Sequence, residues 1–259
     1  MEFRWLRVER IDPGVVIVWM NKPPVNALGR ELVGELSRVA EILRTDAEAR
    51  CVVLGTAGKH FCAGADLKER RSMTPEEAEA FVPKLAGCCQ AFAALPMPTI
   101  AAVRGAAAGG GCELALSCDL RVLAADASIG LRETALAIIP GAGGTQRLPR
   151  MIGTARAKRW IFTATMHDAA EAREDGVADE VVAADRLDER TLALASTIAA
   201  NGPVALRLAK HAIEQGADRP LEEGLEVEWA CYRETLATED RVEALEAFAE
   251  KRPPVFKGR

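Results

Sequence analysis

Apolar residues follow two patterns that alternate through roughly the first 190 residues of the chain. Short runs rich in β-branched residues, bounded by turn residues, predict buried strands at 15–20, 51–54, 99–103 and 120–124. Between the first two runs, apolar residues spaced three and four apart predict an amphipathic helix, with its apolar face at Leu28, Leu32, Leu36, Val39 and Leu43. Alternating strand and helix signals indicate an α/β core.

Another helix has a clear starting signal. Thr74 suits the N-cap, Pro75 suits the first helical position, and Glu77 completes a capping box. This helix is predicted to run to about Leu95, with Pro83 disturbing its middle. Further helices are predicted over 109–118 and 153–163.

The strand signal disappears from Leu187 onward. Apolar residues then lie on successive helical faces, at Leu192, Leu194, Ile198, Leu208, Ile213, Val242, Leu245 and Phe248. The chain is therefore predicted to divide into an α/β core over 1–190 and a C-terminal helical region over 191–259. Because so small a helical layer buries little surface alone, we expect it to pack on the core or on another subunit.

The composition narrows the class of protein. Of the 259 residues, 49% are hydrophobic and 5% aromatic, so the core must consist mainly of Ala, Val, Leu and Ile. The net charge of -5 gives no support to broad nucleic-acid binding. The N-terminus has acidic residues from position 2 and lacks an apolar signal segment, and no apolar run reaches the roughly 18 residues of a membrane span. We therefore expect a cytoplasmic protein without membrane contact.

The cysteines and histidines do not indicate a metal or redox site. The seven cysteines include no C-x-x-C pair, and most lie in apolar runs, where a reduced cysteine behaves as a small hydrophobe. His60, His167 and His211 lack the spacing of zinc ligands, so we expect no metal. Although His60 lies near Cys62, nothing else in the sequence indicates a catalytic triad.

Two glutamates, Glu113 and Glu133, lie in apolar surroundings near the glycine clusters 109–111 and 141–144. Buried carboxylates are costly unless they are hydrogen-bonded or used chemically, so the pair suggests a site. A glutamate at a helix start and a second glutamate on the surface would give the same spacing. The spacing alone does not decide between these interpretations. If a helix does begin at the first cluster, its dipole favours the ionised form of Glu113.

Glycine-rich turns follow two of the predicted strands, at 62–66 and 109–111. Glycine permits close approach of a ligand to the backbone, and a helix start adds free N–H groups. Two such turns could direct two N–H groups at one oxygen and form an oxyanion hole. They could equally serve only tight turns and close packing.

Long segments of the chain resemble the enoyl-CoA hydratase/isomerase (crotonase) superfamily. They are FCAGADLKE at 61–69, PTIAAVRGAAAGGGCELALSCDLRV at 98–122, IIPGAGGTQRLPR at 138–150 and FAEKRPPVFKG at 248–258. The resemblance covers nearly the whole chain. It implies a catalytic core that is a spiral of ββα turns, followed by C-terminal helices that build homotrimers, usually paired into homohexamers.

The resemblance also assigns site residues. It places the two oxyanion-hole N–H groups on Ala65 and Gly110 and the catalytic acids on Glu113 and Glu133. By analogy, Glu113 holds and activates water, and Glu133 delivers a proton to the α carbon of the thioester. Gly141 matches a glycine close to the active-site water and the second glutamate.

The coenzyme A contacts implied by the resemblance come from two parts of the chain. The stretch that lines the adenine end matches Ala63, Asp66, Leu67 and Lys68. Phe248 and Lys251 match C-terminal residues that reach a coenzyme A held by a neighbouring subunit. Coenzyme A is here part of an acyl-CoA substrate, and no separate cofactor is expected.

The activity implied is that of a hydro-lyase that adds water to a trans-2-enoyl-CoA. The similarity is greatest to the branch of 3-methylglutaconyl-CoA hydratases of leucine breakdown, which is the alternative. An isomerase is less favoured, because both glutamates are present and the family's isomerases commonly retain one acid in a different arrangement. An RNA-binding paralogue is also less favoured, since the candidate basic face has only Arg207 and Lys210 and is interrupted by Glu214. Cys112 and Arg132 depart from that branch. We interpret Arg132 as a solvated charge, with contact to an acidic acyl tail as the alternative.

Overall fold

The structure, a computed structural model, describes residues 2–259. Its strands are β1 (Leu6–Ile11), β2 (Val15–Met20), β3 (Cys51–Thr56), β4 (Thr99–Val103), β5 (Ala106–Ala108), β6 (Leu120–Ala124), β7 (Ser128–Gly130), β8 (His167–Asp168) and β9 (Glu180–Val182). Its helices are α1 (Arg30–Arg44), α2 (Leu67–Arg71), α3 (Pro75–Ala93), α4 (Gly110–Leu116), α5 (Gly144–Ile152), α6 (Thr154–Thr163), α7 (Ala169–Asp175), α8 (Leu187–Ala199), α9 (Pro203–Gly216), α10 (Leu221–Thr235) and α11 (Glu239–Glu250). Two short 3-10 turns cover Glu133–Leu136 and Ala184–Arg186.

Two sheets form the core. The large sheet has the order β1-β2-β3-β4-β6-β9, and its strands are parallel except for the antiparallel pair β1 and β2. The small sheet has the order β5-β7-β8, with β5 and β7 parallel. The α/β fold class is confirmed.

The chain winds through the two sheets as a spiral of ββα turns. It passes from β4 to β5 and then into α4, and next from β6 to β7 and the 3-10 turn at Glu133. After β3, Cys62 forms a parallel bridge with Ala107 of β5. The segment after β3 therefore lies beside the small sheet, in the position that corresponds to β5 and β7 in the later turns of the spiral. This repetition places the ends of successive turns side by side.

The strand and helix predictions are largely confirmed. Strands β2, β4 and β6 have the predicted bounds, while β3 runs to Thr56. The capping box of α3 is present: the Thr74 hydroxyl accepts a hydrogen bond from the Glu77 amide at 3.2 Å, and the Thr74 amide donates to the Glu77 carboxylate at 3.0 Å. Helix α3 continues through Pro83 and ends at Ala93. The proline is tolerated because the carbonyl it leaves free belongs to exposed Glu79.

The elements that the sequence did not indicate are β1, β9, the small sheet and the helices α2, α5 and α7. Strand β1 is an edge strand that buries Leu6 and leaves most other side chains partly or fully exposed, so it lacks a strong apolar signal. The small-sheet strands are only two or three residues long. Helix α5 includes Pro149, which weakens its helical pattern.

The C-terminal helices differ in how deeply they are buried. Helix α8 packs on the large sheet and buries Leu187, Thr191, Ala195 and Ala199, so the predicted boundary at 190/191 falls within a core-packed helix. Helices α9 and α10 pack together, with Gly216 and Gly224 in close approach. Large apolar side chains on α9 to α11 are exposed, namely Ile213, Leu221, Leu225, Trp229, Tyr232, Val242, Leu245 and Phe248. Contact with neighbouring subunits remains a prediction.

No single helix within residues 2–259 is long and apolar enough to cross a membrane. One bent pair, Ala184–Ala199 with Pro203–Gly216, passes the same criteria of length and composition, with an angle of 100° between its halves. The buried face of α8 in that pair lies against the sheet.

A buried lysine fastens α9 to the core. Lys210 Nζ donates to Asp119 Oδ2 at 2.8 Å and to the Met97 carbonyl at 3.3 Å, and its side chain is 7% exposed. Asp119 also accepts from the Thr99 amide and hydroxyl. A buried cation without its partner is strongly destabilising, so this contact fixes the position of α9.

Asp119→Ala should lower the free energy of unfolding by about 1–3 kcal/mol, because it removes the nearer carboxylate and leaves buried Lys210 only the partly exposed Glu214 at 3.9 Å. Urea unfolding measures the change. Asp126→Ala, at an exposed position, is the matched control and should change stability by less than about 0.5 kcal/mol. Equal stability of the two variants would contradict this role for Asp119.

Candidate active site

One cavity of about 650 Å³ brings together most of the predicted site residues. Its wall includes Ala63, Ala65, Leu67, Gly110, Glu113, Glu133 and Gly141. The rest of the wall is mainly apolar, with Phe81, Val82 and Leu85 of α3 on one side and Leu136, Ile138 and Ile139 on another. A mostly apolar cavity with a few convergent polar groups is typical of a site for a small organic ligand.

The backbone around Ala65 leaves its amide free. Leu28 N donates to the Gly64 carbonyl at 2.8 Å, and Asp66 N donates to the Leu28 carbonyl at 3.1 Å, in a parallel bridge. In an extended segment, successive peptide groups point to opposite sides. The Ala65 amide therefore points away from Leu28, and it has no acceptor within residues 2–259.

The amide of Gly110 is the second free donor. Gly109 adopts φ +52° and ψ −122°, which favours glycine, and donates to the Gly130 carbonyl at 2.8 Å. Helix α4 begins at Gly110, whose amide has no acceptor in the part of the chain that is described. A Cβ built on Gly110 would lie 3.8 Å from Ala65 N. Two unpaired amides thus lie side by side at the cavity wall.

Glu113 is held by one carboxylate oxygen. Its Oε1 accepts from Ala142 N at 2.7 Å and from Gly144 N at 2.8 Å, while the residue as a whole is 2% exposed. Burial raises the pKa of Glu113, and the amides of Gly144 and Ala142, followed by the charge of Arg147, offset part of that rise. The pKa of Glu113 is therefore raised overall, whereas a helix start alone would lower it, because desolvation is the largest effect.

Glu133 begins the 3-10 turn and lacks comparable donors. Its Oε2 is buried with no hydrogen-bond partner among residues 2–259. Burial, and secondarily the charge of Glu113, raises the pKa of Glu133 to about 7. Near neutral pH Glu133 therefore readily carries a proton, whereas the two amides on Glu113 Oε1 favour the charged form of Glu113 relative to that of Glu133.

The glycine that touches Glu133 is Gly109. A Cβ at this position would lie 2.9 Å from Glu133 Oε1, so any side chain would displace the carboxylate. Gly141 lines the cavity, and its nearest neighbour would be Val82 Cγ1 on α3, at 2.8 Å from an added Cβ. The contact of Gly141 with an active-site water remains a prediction.

The predicted coenzyme A residues are only partly at the cavity. Ala63 and Leu67 line it, whereas Asp66 caps α2 by accepting from the amides of Lys68 and Glu69 and pairs with Lys22 at 3.2 Å. Lys68 is exposed and outside the cavity wall. Phe248 is 85% exposed on α11, and Lys251 follows that helix, so neither reaches the cavity of its own chain.

The sequence did not identify several residues that shape the site. Ala142 and Gly144 supply the amides that hold Glu113, and the 141–144 glycine cluster was the available signal. Arg70, which the sequence also did not single out, joins Arg132 in the cavity wall. Arg132 is exposed and makes no ion pair within residues 2–259, so both interpretations of its role remain open.

The described residues contain no cluster of three or more His, Cys, Asp or Glu side chains that could hold a metal. All seven cysteines are free and buried. Burial raises the pKa of Cys62 to about 12, which disfavours the thiolate that a nucleophile requires.

Comparison with known proteins decides the family. Residues 10–259 match the family described as enoyl-CoA hydratase/isomerase. The chain belongs to this family. It is 45% identical to human mitochondrial methylglutaconyl-CoA hydratase, across 99% of this chain and 78% of that protein. It is 46% identical to the mouse mitochondrial enoyl-CoA hydratase domain-containing protein 2, across 96% and 86% respectively.

A solved structure supports the same assignment. The enoyl-CoA hydratase of Bacillus anthracis superposes with a TM-score of 0.97 at 45% identity, and the match covers 99% of this chain and 100% of that chain. The similarity thus includes the core and the C-terminal helices. It confirms the crotonase fold expected from the sequence.

Glu133→Gln should stabilise the protein at pH 8 and have little effect at pH 5. The pKa of about 7 in the folded state lies above the ordinary glutamate value of 4.5. Stability therefore falls as pH rises between these values, because the folded chain binds the proton more tightly than the unfolded chain. Glutamine removes this cost, and urea unfolding at pH 8 should show a gain of about 1–3 kcal/mol.

The control is Glu174→Gln, which changes an exposed glutamate. Its effect on stability should be within about 0.5 kcal/mol at both pH values. A Glu133→Gln gain of the same size at pH 5 and pH 8 would contradict the raised pKa of Glu133.

Proposed function

We propose that this protein is an enoyl-CoA hydratase that adds water across the α,β double bond of a trans-2-enoyl-CoA thioester. The observation that carries the proposal is the meeting, in one cavity, of the free amides of Ala65 and Gly110 with the buried pair Glu113 and Glu133. The hydratase names of the relatives agree with it.

The two amides suit the electronic need of the reaction. An α,β-unsaturated thioester becomes electrophilic at its β carbon when negative charge gathers on the carbonyl oxygen as an enolate. Donors fixed at that oxygen stabilise the charge without reorganisation, by several kcal/mol in enzymes. In a complex with an acyl-CoA, we expect the thioester oxygen about 3 Å from the N–H groups of Ala65 and Gly110.

The two glutamates suit the proton transfers. Glu113 Oε1 is occupied by two amides, which leaves Oε2 free to accept a proton from water. The proton is transferred as the oxygen of that water bonds to the β carbon. Glu133, protonated below about pH 7, donates its proton to the α carbon as the enolate collapses. Glu113 then holds the proton taken from water, and exchange with solvent returns both acids to their starting states.

Glu113→Gln and Glu133→Gln should each lower kcat for hydration of crotonyl-CoA by about 10²–10⁴-fold, because each removes one proton transfer. Loss of crotonyl-CoA absorbance gives the rate, and Glu174→Gln is the matched control with wild-type kcat. In the wild type, kcat/KM should decline as pH rises through about 7, as Glu133 loses its proton. Near wild-type turnover by Glu133→Gln would overturn the assignment.

The assembly is proposed on the exposed surface of the C-terminal helices. Exposed apolar side chains such as Trp229, Leu221 and Phe248 suit burial between subunits. We propose a homotrimer or a homohexamer of two trimers. In such an assembly Phe248 and Lys251, which lie away from the cavity of their own chain, would contact the coenzyme A of a neighbour.

A second candidate is 3-methylglutaconyl-CoA hydratase, whose substrate carries another carboxylate. Arg132 favours it, because this exposed guanidinium lines the cavity next to Glu133 and is paired with no carboxylate in the described chain. A guanidinium suits a carboxylate through paired hydrogen bonds. The human relative that bears this activity in its name adds support.

If Arg132 contacts the acyl carboxylate, Arg132→Met should lower kcat/KM for 3-methylglutaconyl-CoA about 10- to 100-fold, the loss expected for a charged hydrogen bond. The value for crotonyl-CoA should change by less than about twofold. Arg71→Met, at an exposed position outside the cavity, is the control. An unchanged ratio between the two substrates would assign Arg132 to solvent.

RNA binding gains no support from the candidate basic face. Arg207 Nη2 donates to the carbonyls of Asp46, Ala47 and Ala49, and Lys210 is buried against Asp119. Neither side chain is available to phosphates without breaking these contacts, and phosphate contacts supply most nonspecific affinity. A salt-titrated gel shift with submicromolar binding near physiological salt would reverse this conclusion.

A further inference from the structure

The turn at 142–144, whose amides hold Glu113, is also bound by Arg147 through the carbonyl of Ala142. From α5, its Nη1 donates to the Ala142 carbonyl at 3.0 Å, and its Nη2 donates to Gln90 Oε1 on α3 at 2.8 Å. Both acceptors are neutral, and residues 2–259 offer the guanidinium no ion pair. The side chain lines a cleft of about 600 Å³ that shares no lining residue with the cavity of the glutamates.

The turn itself is shaped around this guanidinium. Gly143 has φ +112°, and a Cβ built there would lie 2.0 Å from Arg147 Nη1. The Arg147 amide also donates to the Gly143 carbonyl at 2.8 Å. Arg147 therefore binds the carbonyls of two successive residues, one through its side chain and one through its backbone.

The guanidinium holds the peptide group that lies between the two donors of Glu113. It binds the Ala142 carbonyl, in the peptide that links Ala142 to Gly143, while the Ala142 amide, in the preceding peptide group, donates to Glu113 Oε1 at 2.7 Å. Gly144 adds a donor to that oxygen at 2.8 Å. Rotation of either peptide group would release Oε1 and allow the carboxylate to turn.

We propose that Arg147 is a positioning residue of the hydration reaction, which aims the amides of Ala142 and Gly144 at Glu113 Oε1 so that Oε2 faces the attacking water. The inference rests on the proposed hydratase function. It adds a residue that lies outside the wall of the cavity and acts through the backbone of the turn.

The charge of Arg147 has a second consequence. Around Glu113 lie Cys89 on α3, Cys112 on α4 and Glu133 on the 3-10 turn. Burial raises the pKa of both thiols, so they stay neutral, and Glu133 is an acid. Arg147 is the cation that lowers the pKa of Glu113, after the larger effects of burial and the two amides. Loss of this cation shifts Glu113 toward its protonated form.

Two substitutions separate position from charge. Arg147→Met removes both the hydrogen bonds and the cation, whereas Arg147→Lys keeps a cation but cannot bind Ala142 and Gln90 with a fork. Arg147→Met should lower kcat for crotonyl-CoA about 10- to 100-fold, with KM within about threefold, because the base is misaligned after substrate has bound. The acid limb of its kcat/KM profile should move to higher pH.

Arg147→Lys should also lower kcat, by about 3- to 10-fold, with its acid limb near that of the wild type. Arg150→Met is the matched control on the same helix, since Arg150 bonds to Gln146 and Asp218 at the surface. It should keep wild-type kcat and pH dependence. Melting temperatures of all variants show whether they are folded at the assay temperature.

Three results would overturn the proposal: kcat of Arg147→Met within twofold of the wild type, an unmoved acid limb, or equal effects of Arg147→Met and Arg150→Met. A test independent of turnover is the carboxyl-carbon NMR titration of Glu113, assigned with Glu113→Gln. A higher pKa in Arg147→Met than in the wild type supports the proposal, and an equal value opposes it. If the Glu113 pKa is lower in the wild type than in Arg147→Met but the wild type hydrates no enoyl-CoA, the proposed function is refuted, while the effect of Arg147 on Glu113 still stands.

Discussion

The cost of burying two carboxylates in one mainly apolar cavity governs this site. Both Glu113 and Glu133 are removed from solvent, and ionisation of one opposes ionisation of the other. The chain answers asymmetrically. One carboxylate receives two backbone donors on a single oxygen, and the other has a buried oxygen with no partner in the described chain. Hydrogen bonds therefore make these two like groups unequal, and acid–base chemistry by a pair of carboxylates needs such a difference.

Much of the local backbone serves that asymmetry. Gly109 leaves room for the Glu133 carboxylate and turns the chain so that α4 starts with a free amide at Gly110. The spiral then brings the segment after β3 alongside, through the bridges of Leu28 to Ala65 and Cys62 to Ala107. The second free amide thus arrives from a distant part of the chain. A sheet built from repeated ββα turns achieves this because equivalent segments of adjacent turns lie next to each other.

The sequence predicts those features whose cause is local. Runs such as β2 and β4 are apolar because the strands are buried on both faces, and the Thr74 capping box is encoded within one turn of helix. Strand β1 was not predicted, because it lies at the edge of the sheet and its sequence lacks the apolar pattern of a buried strand. The candidate glutamates, Glu113 and Glu133, and the residues with free amides, Ala65 and Gly110, were identifiable by resemblance, since long glycine-rich motifs surround them.

Features that depend on tertiary packing were not predictable in the same way. A helix start alone suggested an ionised Glu113, but how deeply the carboxylate is buried decides the direction of its pKa. Asp66 matched a ligand-binding position, yet its carboxylate is engaged in a helix cap and an ion pair with Lys22. Arg147 sits one helical turn after the glycine cluster, and only the fold shows that its side chain returns to that turn.

The unequal glutamates also bear on which reaction the site favours. Moving a double bond requires one group that removes a proton from one carbon and returns it to another. Adding water requires two groups in opposite states at the same moment, one to take a proton from water and one to supply a proton to carbon. A cavity that holds one oxygen of Glu113 firmly and keeps Glu133 close to half-protonated near pH 7 meets the second requirement. It is this division between the two acids, more than the presence of both, that supports the proposal of hydration over isomerisation.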